Sequence, residues 1–269
     1  MYVDPNDEGV SARLITLGVF EPLEMNTLSS VIKKGNVVID VGANIGLYTL
    51  LAADLVGPEG RVFAFEPVPR NLRLLRKSID SNGYKNATVV PLAASDRCGT
   101  VKFVVDDQNW GSDRMATPDE SSQSIDVQTT TLDKYFANSG YSVDLLKIDA
   151  EGAEPAILDG ARELLAANPD IAILTEYNPK LIQQLGYSPE EYLQKLAAMG
   201  FQFTCLDEVT QSTELLPGNV IGQFTQHLLQ QPQGRDYLNL LCLRGRNAAI
   251  RGTDSLHRSV RESAESLVG

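Results

Sequence analysis

The run Val37-Val38-Ile39-Asp40-Val41-Gly42-Ala43-Asn44-Ile45-Gly46 sets an acid, two glycines and an asparagine at the end of an apolar, β-branched strand. Glycine lacks a Cβ and enters positive φ at little cost, and asparagine is next most tolerant, so this backbone can turn sharply and approach a ligand. Residues 47–53 read as a helix whose first free N–H groups favour an anionic or polar group. A second run, Val62-Phe63-Ala64-Phe65-Glu66-Pro67, ends in a carboxylate 20 residues past Gly46, where an acid in a βαβ unit can take both hydroxyls of an adenosine ribose. A glycine turn that merely joins strand to helix is the plain reading of such a loop. The acid on the next strand weighs against it.

In an open α/β sheet, ligands bind outside the carboxyl ends of the strands, so polar residues there are candidates for chemistry. Besides Asp40 and Glu66 they are the corner Ala93-Ala94-Ser95-Asp96, Asp149 with Glu151, and Glu176 with Asn178. Each acid adjoins an apolar run, and desolvation makes that placement costly without a partner. Asp149 is expected beside the first strand, across the crevice from the glycine loop, facing the reacting centre. Glu154 also suits the positive end of a helix, and Lys147, two residues before Asp149, reads equally as a structural ion-pair partner. His227 and His257 fall outside these motifs, so a proton from a hydroxyl would pass to Asp149 or Glu176, with a pKa raised by burial. Asp149, Glu176 and Asn178 are also oxygen ligands that suit Mg²⁺, which keeps a metal-assisted reading open, although no resident metal is expected.

These residues need a scaffold, and the pattern supplies one. From Val37 short apolar strands alternate with amphipathic helices, the order of a doubly wound sheet. Leu72, Leu75 and Ile79 mark one face of a helix over 71–82, and Ala153 to Leu165 carry a continuous apolar stripe. Thr131 can cap a short helix, and Ser188-Pro189-Glu190-Glu191 is a capping box. Two alternating runs, 100–105 and 124–129, flank the polar loop 106–122 and read as a hairpin-like insertion near 100–129. The organisation expected is a helical cover over 1–34, a main domain over 35–244 and a polar tail over 245–269.

Composition narrows the partners. A net charge of -12 and a sequence pI of about 4.6 predict repulsion of nucleic acid and of acidic membranes. Arg70, Arg73, Arg76 and Lys77 share a predicted helix and most simply form a solvated face. Cys98, Cys205 and Cys242 have no metal-ligand spacing and read as reduced thiols. The acidic start lacks the basic-then-apolar order of a signal peptide, and no apolar run reaches the ~18 residues of a membrane span, so the expected location is cytoplasmic. A homo-oligomer is compatible with all of this.

The spacing separates two cofactors. The loop G-x-N-x-G closes sooner than the dinucleotide G-x-G-x-x-G, which together with the missing proton-relay motif counts against a nicotinamide dehydrogenase. D-x-G-x-N-x-G instead resembles the first motif of class I S-adenosylmethionine methyltransferases. With Ala64-Phe65-Glu66-Pro67, Thr131-Leu132-Asp133 and Leu146-Lys147-Ile148-Asp149-Ala150-Glu151-Gly152-Ala153-Glu154, the chain resembles the FkbM family from about Gly18 to Glu176. Ala150 is a mild departure, since the family more often has valine there. The resemblance implies a Rossmann-like α/β class I methyltransferase fold with a seven-stranded, mostly parallel sheet and helices on both faces. It implies O-methylation of a hydroxyl on a natural product, sugar or polyketide scaffold, with a non-catalytic cofactor-binding protein as the alternative. It places Asp40, Gly42, Ala43, Asn44 and Gly46 around the methionine part of S-adenosylmethionine, Glu66 on the ribose and Ala94 and Ser95 at the adenine edge. Thr49 and Glu21 would reach the methionine end. Trp110, Asn109 and Gly111 lie in the insertion such enzymes use against substrate, though an exposed loop aromatic reads as well.

Overall fold

The computed structural model describes residues 1–117, 120, 124–232 and 236–249; the tail residues from 250 onward, with His257, lie outside them. Among the described residues the main sheet has eight strands: Val37–Val41 (β1), Arg61–Phe65 (β2), Ala87–Val90 (β3), Leu145–Ile148 (β4), Ala172–Tyr177 (β5), Gln202–Asp207 (β6), Ser212–Leu216 (β7) and Leu238–Leu243 (β8). Their spatial order is β7-β6-β8-β5-β4-β1-β2-β3. β3, β2, β1, β4 and β5 pair in parallel, whereas β8 runs antiparallel to both β5 and β6. The central strands are buried on both faces, which is why β1 and β4 are near-continuous apolar runs rather than alternating ones.

The sheet has one strand more than the seven expected. β7 pairs antiparallel with β6 at the edge, after a turn in which the Asp207 carboxylate accepts the N–H groups of Val209 and Thr210 and Gln211 takes a φ of 53°. The sequence Ser-Thr-Glu-Leu-Leu does not alternate, so periodicity gave no sign of it.

Before the sheet, the helical cover expected over 1–34 contains two helices, Val10–Leu17 (α1) and Pro22–Val31 (α2). The break falls at Gly18 and Glu21, both left-handed, ahead of Pro22. Leu47–Val56 (α3) follows the glycine loop and Pro69–Asn82 (α4) follows β2. α2 and α3 cover one face of the sheet through Leu28, Ala52 and Val56 against Val38, Leu145 and Leu174. The opposite face is a larger core in which Ile39, Leu146 and Ile173 meet Ile157, Leu164, Leu193 and Leu196.

The stripe from Ala153 to Leu165 is broken rather than continuous, forming Glu154–Asp159 and Arg162–Ala167. A Cβ on Gly160 would lie 2.1 Å from the Ser95 carbonyl oxygen, and the Gly160 carbonyl accepts the N–H of Asp133. The chain bends there because the root of the insertion packs against it. The insertion is a second, four-stranded sheet, in which Gly99–Val104 and Ser124–Thr130 pair antiparallel, with Arg114–Met115 and Ala93–Ala94 on its two edges. Thr131 and Ser188 cap the helices Leu132–Phe136 and Pro189–Ala198 as their motifs predict. No helix among the described residues is long and apolar enough to cross a membrane.

Candidate active site

β1, β2, β4 and β5 all point their carboxyl ends at one cavity of about 720 Å³, within the size range of small-molecule sites. The glycine loop forms its floor. Gly42, at φ +79°, sits so close to β4 that a Cβ there would overlap the Asp149 carbonyl oxygen at 1.7 Å. Asn44 is left-handed at φ 49°, and its side chain is spent locally: Oδ1 accepts the Ile45 N–H at 2.6 Å and Nδ2 donates to the Trp110 carbonyl at 3.0 Å. Gly46 starts α3 and faces Leu75 of α4, not the cavity.

Glu66 lines the cavity and is 4% exposed. One carboxylate oxygen accepts the Asn44 N–H at 2.9 Å, and the other accepts the Val68 N–H at 2.7 Å and the Asn71 side-chain amide at 3.4 Å. Burial pushes its pKa up to about 7, against the lowering effect of those bonds. A carboxylate has about four acceptor positions, so Glu66 keeps capacity for a hydroxyl donor.

The remaining expected residues separate into those the fold brings to the cavity and those it does not. Gly42, Ala43, Asn44, Glu66, Ala94, Asp149 and Glu176 line it, as do Glu21, Glu151 and Asn178. Asp40, Thr49 and Ser95 do not. Asp40 and Thr49 lie beneath the loop, 1% and 0% exposed, joined by a 2.6 Å bond from the Thr49 hydroxyl to Asp40 Oδ2. Ser95 is buried, with its hydroxyl on Asp96 and its N–H on the Thr130 carbonyl. Glu154 is also outside the cavity; its carboxylate accepts the N–H groups of Ala150 and Gly152 and so shapes the turn after β4. His227 lies on the helix Ile221–Leu229, an element the sequence reading missed, away from the cavity.

Beyond the loop the cavity becomes acidic. Asp149, Glu151 and Glu176 each offer a carboxylate oxygen, all within 4.8 Å of one another; Asn178 instead caps the following helix by accepting the Leu181 N–H. Burial, reinforced by Glu151, Asp149 and Glu154, raises the Glu176 pKa well above the usual carboxylate range. Glu21 enters from the break between α1 and α2, accepts the Tyr48 hydroxyl at 2.6 Å and is pushed up to about 7, chiefly by burial. Beneath this group Lys147 is buried over the Tyr48 ring, donates to Asp149 at 3.0 Å and forms an ion pair with Glu24 at 3.7 Å. Burial works against its charge, but Asp149, Glu24, Asp40 and Glu21 outweigh it and raise its pKa.

Two expectations about the cover are corrected. Arg70 is not part of a solvated face: its guanidinium bonds Asp113 at 2.6 Å and lies 4.5 Å from the Trp110 ring centroid. Trp110 is no exposed loop aromatic but is 6% exposed and lines the cavity. Its backbone N–H donates to Asp7, a fully buried acid that also accepts the N–H groups of Gly9 and Ser11. Asp7 and Asn71 had no sequence signal, because the partners that tie them to the insertion, Trp110 and Asp113, are distant in the chain.

A parallel β3-β2-β1-β4-β5 core joined to an antiparallel β8, with a glycine loop after β1 and an acid after β2 on one cavity, defines the class I methyltransferases. The sequence profile of the methyltransferase FkbM domain matches residues 40–203, more than half of the chain. The chain belongs to the FkbM family of S-adenosylmethionine-dependent methyltransferases. It is similar to 2-O-methyltransferase NoeI of Sinorhizobium fredii, 29% identical over 162 residues that cover 54% of this chain and 65% of NoeI. A protein-L-isoaspartate O-methyltransferase of Ignicoccus hospitalis is 36% identical over 59 residues, 22% of this chain and 28% of that protein. The chain thus spans less than two thirds of either relative. Among solved structures, an FkbM methyltransferase from Methylobacillus flagellatus KT has 15% identity and a TM-score of 0.46, covering 79% of this chain and 43% of that one.

Proposed function

We propose that this chain transfers a methyl group from S-adenosylmethionine to a hydroxyl of a small-molecule acceptor, of the class of natural products, sugars and polyketide scaffolds. One observation carries the reading: a cavity whose rim runs from Glu66 after β2, past Gly42 after β1, to Asp149 after β4 and Glu176 in β5. The donor set fits the cofactor, since Glu66 has acceptor capacity for a ribose and Gly42, Ala43 and Asn44 line the same cavity beside it. When bound, S-adenosylmethionine supplies an electrophilic methyl on a sulfonium.

Gly42, Ala43 and Asn44 would hold its methionine part, Glu66 the ribose and Ala94 the adenine edge. Lys147 fixes Asp149 by a 3.0 Å bond, so that carboxylate is oriented before an acceptor arrives. The raised pKa of Glu176 makes its carboxylate a stronger base than a solvated one, suited to take a hydroxyl proton as the acceptor oxygen attacks. Phe65, Phe103, Trp110 and Ile157 line the same space and give it apolar walls. The name of NoeI, a 2-O-methyltransferase, supports an oxygen acceptor.

Calorimetry with S-adenosylhomocysteine tests the cofactor half. Wild type is expected to bind and Glu66→Ala to bind at least about tenfold more weakly, the effect of losing a charge-assisted hydrogen-bond acceptor. Equal binding by the two proteins would remove the reading. The acceptor half needs radiolabelled methyl transfer to a panel of hydroxylated small molecules.

A second reading is favoured by the three carboxylate oxygens of Asp149, Glu151 and Glu176, which lie within 4.8 Å of one another and suit a hard divalent cation such as Mg²⁺. Transfer that persists undiminished in EDTA would exclude it.

A further inference from the structure

Each oxygen of Glu66 is bonded to a residue that also grips the insertion. On one side the Asn44 N–H donates to Glu66 Oε2 at 2.9 Å while its side-chain Nδ2 donates to the Trp110 carbonyl at 3.0 Å. On the other, Asn71 Nδ2 lies 3.4 Å from Glu66 Oε1 and 3.3 Å from Asp113 Oδ2. Two carboxylates around one nitrogen identify it as the amide NH₂, whose two hydrogens can serve both acids.

Asn71 is 1% exposed and lines the cavity, and its Oδ1 has no hydrogen-bond partner. Helix capping does not explain it, because the α4 N-cap is Val68 and the helix begins with Pro69. Leaving a buried carbonyl oxygen unpaired is costly, so the side chain is held in this orientation by its donor end. Asp113 in turn accepts from Arg70, which lies against the Trp110 ring.

We propose that Asn71 is a positioning residue that ties the ribose-binding acid Glu66 to the acceptor loop around Trp110 and Asp113, so that cofactor binding and docking of that loop are energetically coupled. The proposal rests on the reading of Glu66 as the cofactor acid. It has a pH signature that simple packing would not. The charged groups around Glu66 are Asp113 from the insertion and, through Asp113, Arg70 from α4. Asp113 opposes the ionisation of Glu66 and the Asn71 amide favours it. A ribose diol donates to the ionised acid, so affinity for the cofactor should decline as pH falls through about 7.

The test is the affinity of the full chain for S-adenosylhomocysteine, measured by calorimetry from about pH 5.5 to about pH 9 for wild type, Asn71→Leu and Asp113→Asn. Losing the amide donor is expected to move the midpoint of the decline upward by about half a pH unit or more, and losing the Asp113 charge to move it downward. A uniform loss of affinity at every pH, with the midpoint unmoved in the variants, would overturn the coupling. If Asn71→Leu does not fold, the direction of the Asp113→Asn midpoint decides alone. Wild type that fails to bind S-adenosylhomocysteine removes the cofactor reading and this inference together; wild type that binds, with unmoved variant midpoints, removes only the inference.

Discussion

At the scale of single residues, acids at this site divide by what surrounds them. Asp149 has Lys147 at 3.0 Å, whereas Glu176 keeps a buried oxygen with no hydrogen-bond partner and faces other acids. The second arrangement is the one that strengthens a base, so Glu176→Gln is expected to lower kcat by about 10²–10⁴-fold while S-adenosylhomocysteine affinity stays near wild type. Single-turnover methyl transfer beside calorimetry checks both halves, and a kcat within a factor of about three of wild type would remove Glu176 from the chemistry. The sequence made these acids visible because each follows an apolar run. It did not show that Asp40 and Thr49 bond each other under the loop, or that Asn71 stands between Glu66 and Asp113, since residue type at a strand end says nothing about which partner the fold delivers.

At the scale of elements, the glycine loop and the turn after β4 depend on each other. Gly42 occupies positive φ with the Asp149 carbonyl where a Cβ would be, so Gly42→Ala adds backbone strain to a clash with an atom that cannot rotate away. The expected result is a destabilisation of about 3 kcal/mol or more, together with loss of S-adenosylhomocysteine binding, because relief requires moving the loop or Asp149. Urea unfolding curves and calorimetry would show it; an unchanged midpoint would contradict the packing described. This loop was legible because glycine and asparagine announce their backbone conformations locally. Two other elements were not. The break at Gly160 is caused by Ser95, 65 positions earlier in the chain, and β7 exists because a turn returns it to β6. An apolar stripe records which face is buried, not whether another segment interrupts it.

For the whole molecule, the site carries an electrostatic cost. Glu21, Glu66 and Glu154 are each raised to about 7, and Glu24, Glu151 and Glu176 are raised as well, in every case chiefly by burial. A carboxyl whose folded pKa exceeds its unfolded value adds stability that is full below the unfolded pKa and is lost as pH rises through the folded one. For the buried Glu66 and Glu154 that loss is on the order of 3 kcal/mol each. The ligand-free protein is therefore expected to melt at a higher temperature near pH 5.5 than near pH 8, the reverse of a protein whose acids are mostly ion-paired. Calorimetric scans at the two values check it, and a higher melting temperature at the alkaline one would contradict it. The alternation of strands and helices revealed this architecture, and a helical cover over 1–34 with an insertion near 100–129 was expected, but the contacts that join the two, such as Asp7 with Trp110, were not legible because they lie 103 positions apart. The added edge strand has a chemical consequence of its own. By pairing across β6 it sets Glu214 opposite Cys205, and burial together with that carboxylate pushes the thiol up to about 12. Nucleophilic attack and peroxide oxidation both proceed through the thiolate, so burial, with a strand that contributes nothing to the cavity, is expected to make Cys205 slow to react with alkylating agents and peroxide.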